Sequence, residues 1–161
     1  MEPGELYWDV IKPHWKRVTI YDGSDPFLRE YARTPEAARN LLSAHWCQSE
    51  VCNGGLHQFF SNPTGVLAPE AAVGYDAIGL PGLGSVVQRA MIFFGRAYPR
   101  AQQERQQALQ GHAQAHPDAW DPFEKLNHEF FDLLNQESGG WTQAADRYAG
   151  QHISVRSPFA P

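Results

Sequence analysis

The sequence predicts an all-α fold: a compact bundle of about six to eight short helices, with at most one short N-terminal strand or hairpin. Three observations carry this. Prolines repeatedly follow residues that cap helices. Apolar residues recur at helical spacing through much of the chain. Only Val18-Thr19-Ile20-Tyr21 looks like a strand, and one strand makes no sheet.

The 161 residues fit one domain, 1–161, with a core over 25–150 and with segments 1–24 and 151–161 at its periphery. At 42% hydrophobic and 19% charged, the chain has a globular composition, not a disordered one. No stretch approaches the roughly 20 apolar residues that span a membrane. The start, Met1-Glu2-Pro3-Gly4-Glu5, has neither the positive charge nor the apolar run of a signal peptide. Two cysteines, Cys47 and Cys52, read as free thiols in a reducing compartment. A cytoplasmic protein is therefore expected. The net charge of −5 excludes a dedicated nucleic-acid binder, which would show a clustered basic patch.

Asp25-Pro26, Thr34-Pro35 and Asp121-Pro122 each place a capping side chain before a proline suited to the first helical position. Glu124 follows Asp121 at the spacing of a capping box. From Glu36 to Val51, the residues Ala37, Leu41, Ala44 and Val51 share a face with His45 and Gln48, which puts Cys47 on the outer side. Asn53-Gly54-Gly55 breaks this helix. Leu56 to Phe60 reads as a second short helix, and Asn62-Pro63 ends it. Pro69-Glu70 opens a helix over Ala71 to Ile78, closed by Gly79-Leu80-Pro81-Gly82. Ser85 to Tyr98 is the most apolar segment and reads as a central helix. Gln102 to Gln114 has little apolar surface beyond Leu109 and is placed outside. Phe123 to Leu134 is amphipathic, with Phe123, Leu126, Phe130, Leu133 and Leu134 on one side. Ser138-Gly139-Gly140 links it to a last helix, Thr142 to Ala149, closed by Gly150. The tail from Gln151 reads as irregular.

The stretch around Asn53-Gly54-Gly55 is the most distinctive in the chain. One reading makes it a small-ligand or hydrolytic pocket. Glycine N–H groups would face an anion, with His57, Gln58, Asn62 and His45 nearby. The other makes it a tight helix junction in which Gln58 and Asn62 bond buried backbone, since helix ends leave unpaired groups. The junction reading is favoured, because no further catalytic pattern accompanies these residues. There is no Gly-x-Ser-x-Gly elbow, phosphate loop or dinucleotide fingerprint. His112 and His116 have the four-residue spacing of paired ligands, but Ala113 stands where zinc proteases carry a glutamate. No metal, nucleotide or other cofactor is expected.

Charge is uneven. Asp118, Asp121, Glu124, Glu129, Asp132 and Glu137 stand against one lysine, Lys125, a local balance as negative as the whole chain. A solvated helix face is the plain explanation. The sharper one is an acidic surface that steers a basic partner.

The run His45-Trp46-Cys47-Gln48-Ser49-Glu50-Val51-Cys52-Asn53-Gly54-Gly55-Leu56-His57-Gln58-Phe59-Phe60-Ser61-Asn62 resembles the signature of a bacterial family of domains of unknown function that includes the DNA mimic proteins. Thr64 to Ala71, Ala77-Ile78-Gly79, Phe94-Gly95 and Tyr98-Pro99-Arg100 extend the resemblance, and Leu126 to Phe131 is similar to the family's closing helix. The resemblance implies a compact helical fold and a cytoplasmic protein without a known catalytic site. It also implies that some relatives set surface carboxylates at DNA-like spacing and occupy another protein's DNA-binding face.

These readings converge on a non-enzymatic interaction module. Its partner would be a protein, for instance a basic DNA-binding protein met by Asp118, Asp121, Glu124, Glu129 and Asp132, or a second copy of the chain in a homodimer. The competing readings are the pocket at Asn53-Gly54-Gly55 and an immunity or antitoxin role against a basic effector.

Overall fold

The computed structural model describes residues 1–17 and 19–153 and contains, among them, eight α-helices, five short 3-10 turns and no strand. The helices are α1 (Glu5–Trp15), α2 (Ser24–Arg33), α3 (Glu36–Ser61), α4 (Ala68–Ile78), α5 (Pro81–Met91), α6 (Gln102–Ala115), α7 (Glu124–Gln136) and α8 (Trp141–Ile153). None is long and apolar enough to cross a membrane.

Helix α3 is the axis of the bundle, with α1, α4, α6, α7 and α8 all packed against it. That position explains its burial. Ala38, Leu41, Leu42, Ser43, Ala44, Trp46, Cys47 and Val51 are all inside, so this part of the helix is covered on nearly every side. Cys47, expected on an outer face, is fully buried. The apolar pattern over Glu36 to Val51 picks out one covered face, whereas neighbours enclose several.

Helices α3 and α4 touch backbone to backbone at Gly74. A side chain there would bring its Cβ to 2.6 Å from the Asn40 carbonyl, closer than packing allows. The Ser43 hydroxyl donates across this contact to the Glu70 carbonyl at 3.1 Å, and the Tyr75 hydroxyl donates to the Ala44 carbonyl at 3.0 Å. Small residues thus bring the helices close, and short polar bridges fix their register.

Several boundaries differ from expectation. Residues 5–15, given no element by the sequence, form α1. It lies against α8 and α3, buries Ile11, and accepts no strand beside it. Ile20–Asp22 is a 3-10 turn rather than a strand, and Val18 lies outside the described residues. Asp25 and Thr34 do not cap. Gly23 and Pro35 hold those positions, and the Thr34 hydroxyl turns back to the Glu30 carbonyl at 3.2 Å. Pro81, expected in a loop, occupies the start of α5, the same role proline was given elsewhere. That helix ends at Met91, and Ile92–Phe94 continues as a 3-10 turn. Helix α8 runs through Gly150 to Ile153 instead of stopping there, so 151–153 are helical. The rest of the tail, 154–161, lies outside the described residues.

The two thiols have opposite environments. Burial pushes the Cys47 thiol far up, whereas Cys52 is exposed and raised less. Thiolate is the reactive form. A thiol-reactive chromogenic disulfide is therefore expected to label one cysteine per native chain and two after denaturation. Two fast-reacting thiols in the native state would show that the α3–α4 contact opens readily.

Candidate functional site

The Asn53-Gly54-Gly55 segment kinks α3 rather than ending it. Gly55 sits at φ +76°, ψ −179°, a conformation essentially reserved for glycine. Gly54 is needed for space. The Gln58 side chain, which Glu50 holds in place, lies where a Cβ at Gly54 would stand. The kink breaks the helical hydrogen-bond ladder, and α7 repairs it. Asn127 Oδ1 accepts from the Leu56 N–H at 2.8 Å. Asn127 Nδ2 in turn donates to Asp121 Oδ2 at 3.1 Å.

Gln58 and Asn62 are indeed turned inward, but their partner is not backbone. Both donate to Glu50 Oε2 at 2.8 Å, and the Thr64 hydroxyl donates to Oε1 at 3.0 Å. One carboxylate before the kink thus gathers three donors beyond it. It works as a clasp that sets the angle between the two halves of α3.

The backbone at the end of α3 has a separate guardian. Arg105, on the helix expected outside, is fully buried although α6 as a whole is largely exposed. Its Nε donates to the Phe60 carbonyl at 2.8 Å, and one terminal nitrogen donates to the Asn62 carbonyl at 2.9 Å. The other terminal nitrogen reaches the carbonyls of Pro99 and Arg100 at 3.1 and 2.6 Å. A guanidinium carries donors in a rigid fork, which suits several carbonyls at once. The terminal carbonyls of α3 also form the negative end of its dipole.

The remaining candidate residues do not converge. Asn53 is exposed on the outside of the kink. His57 is half-buried with its ring centroid 5.1 Å from that of Trp120, and burial lowers its pKa more than nearby Asp121 raises it. With Ser61, Gln106, Gln110 and Trp120 it lines a shallow cavity of about 500 Å³. His45 lies elsewhere, enclosed by the Tyr7, Trp8 and Trp15 rings of α1 at 5.8, 5.8 and 5.5 Å. Its Nδ1 is 3.3 Å from the Tyr7 hydroxyl, and burial pushes its pKa down to about 4. A general base drawn from His45 and His57 together is thus not assembled. The His112 and His116 rings meet tilted at 4.7 Å, with His112 Nε2 3.0 Å from the Ala119 carbonyl. Among the described residues, no group of three or more His, Cys, Asp or Glu is placed to hold a metal ion.

The late acids are also divided. Asp121 faces inward, where Oδ1 accepts from the Phe123 N–H at 2.9 Å and thereby fixes the approach to α7. Glu129 is held by Arg89 of α5, with one of the paired bonds at 2.9 Å. Glu137 caps α5, accepting from the N–H groups of Gly82 and Leu83 at 2.6 and 3.1 Å. Asp118, Glu124 and Asp132 are exposed, and Lys125 and His128 are exposed beside them.

Glu50, Arg105 and Asn127 were not singled out by the sequence. Glu50 and Arg105 are charged residues in polar helical surroundings, which is how surface positions look. The one available signal was the pair Gln58 and Asn62, four apart and so on one face, which asked for a shared acceptor.

The family described as DMP19-like protein matches residues 32–152 of the chain. That range begins in α2 and takes in the kink, the clasp, Arg105 and the late acids. No curated protein and no solved structure matches the chain.

Proposed function

Since the chain belongs to the DMP19-like protein family, we propose that it is a non-enzymatic interaction module that meets a basic protein partner through carboxylates on its surface. The observation that carries this is the allocation of polar groups. At the kink, Gln58, Asn62, Thr64 and Asn127 are engaged in holding the chain's own backbone and the Glu50 clasp. By contrast, Asp118, in the 3-10 turn Pro117–Ala119, and Glu124 and Asp132 of α7 are exposed. Exposed carboxylates of this kind exchange solvent counterions for a partner's Lys and Arg groups. The DNA-mimic role of the family is the finer form of this proposal, with a DNA-binding protein as the partner. An immunity or antitoxin role is the same chemistry turned on a basic effector.

The test is capture from cell extract with the wild-type chain and with the triple variant D118K/E124K/D132K. The wild type is expected to retain basic proteins that excess duplex DNA or added salt releases. The variant is expected to lose them, because three charge reversals turn attraction into repulsion. The same proteins bound by both chains, indifferent to DNA, would sink the proposal. Sedimentation at several concentrations separates the remaining alternative, a second copy of the chain as partner.

A further inference from the structure

The clasp that holds the kink also opens onto the surface. A cleft of about 510 Å³ lies between the end of α1, the turn that follows it, and α3. Trp15, Lys16, Tyr21, Trp46, Glu50 and Thr64 are among its lining residues. Trp15 and Trp46 meet at 5.2 Å between ring centroids, and Tyr21 is 83% exposed at the rim.

Two features of Glu50 bear on what this cleft takes. First, it forms no ion pair among the described residues, since its three partners Gln58, Asn62 and Thr64 are all neutral donors. Second, the donors are shared unequally. Oε2 accepts from two side chains that do not line the cleft, whereas among the described residues Oε1 accepts only from Thr64, which does. A carboxylate oxygen has room for about two bonds. The open position therefore lies on Oε1, and Glu50 shares the lining of the cleft with Trp15, Tyr21 and Trp46.

We propose that this cleft is a binding site for a guanidinium group. A planar cation can stack on the exposed Tyr21 ring or the half-buried Trp15 ring while donating to the open side of Glu50 Oε1. An ammonium would satisfy the charge but not the flat faces. Lys16 is the other charged residue lining the cleft, and it is exposed, so its stem can lean aside and leave its head in water. The site is separate from the exposed late carboxylates and does not depend on their role.

The probe is N-acetyl-arginine amide, titrated into the whole chain and followed by tryptophan fluorescence and by amide shifts around residues 15–21 and 46–64. Saturable binding is expected. N-acetyl-citrulline amide, the neutral isostere, is expected to give none. Glu50→Gln is expected to weaken binding about tenfold, the value of one charge-assisted bond. Tyr21→Ser, at an exposed position, should weaken it severalfold without touching the clasp. Equal binding of the citrulline compound, no saturation, or a well-folded Glu50→Gln variant with wild-type affinity would each overturn the proposal. If Glu50→Gln does not fold, Tyr21→Ser decides, and wild-type affinity there overturns it. Free arginine is compared last. Tighter binding of the free amino acid identifies a small-molecule ligand, and tighter binding of the amide identifies an arginine side chain of a partner.

Discussion

Replacing Arg105 by methionine is expected to destabilise the protein by about 3 to 5 kcal/mol, the largest effect of any single change considered. Methionine fills similar space but donates nothing. The carbonyls of Phe60, Asn62, Pro99 and Arg100 would all lose a partner, and each group left dry costs about 1 to 3 kcal/mol before water or local shifts compensate. Arg105→Lys is expected to recover little. An ammonium is a point charge that cannot spread over carbonyls arranged around a flat fork. Burial also disfavours the charge of Arg105 itself, which only the surrounding carbonyls and the face of Tyr98, 6.0 Å away, offset. Urea midpoints of the two variants against wild type measure this. A loss below about 1 kcal/mol for the methionine variant would mean that these carbonyls reach water without the arginine.

Acid is expected to weaken the fold well before the carboxylates titrate, and His45 is the reason. Its pKa is pushed down to about 4 in the folded state by burial, from an ordinary value of 6.5. Above pH 6.5, both folded and unfolded chains hold it neutral and nothing is lost. Between pH 6.5 and pH 4 the unfolded chain takes up a proton that the folded chain refuses, so stability falls as pH falls. The slope approaches about 1.4 kcal/mol per pH unit, and the full loss is about 3 kcal/mol. His57, also lowered by burial, adds in the same direction. Stability measured in urea at pH 7.5 and pH 5 should therefore drop for wild type and drop much less for His45→Gln, whose amide can still meet the Tyr7 hydroxyl. An equal drop in both would assign the acid sensitivity to other groups.

These two residues also mark where sequence reasoning succeeds and stops. An interruption at Gly54 and Gly55 was legible from their backbone freedom, although it is a kink within α3 and not the helix end expected. So was the amphipathic face of α7, whose Phe123 and Phe130 are both buried. Pro69 and Pro81 stand at helix starts for one and the same reason, yet only the first was read so. Helix α1 was missed although Leu6, Val10 and Ile11 pack on the core, because Pro13 and the exposed Trp8 interrupt the pattern. Cys47 was misplaced because α3 is covered on several sides around it, whereas the pattern names only one covered face. Glu50 and Arg105 were missed for a deeper reason. A charged side chain in a helix looks the same whether it faces water or carbonyls, and its partners here come from 8 to 14 and from 5 to 45 positions away. The polar residues around the kink were recognised as a group, but their shared acceptor was not.

The repair of the kink by Asn127 and by Arg105 also imposes an order on the growing chain. While a ribosome is still producing α4 and α5, the Leu56 N–H and the carbonyls of Phe60 and Asn62 have no native partner. The far half of α3 must wait, half-solvated, until residue 105 and then residue 127 emerge. The longest helix of the described chain is therefore among the last to be completed.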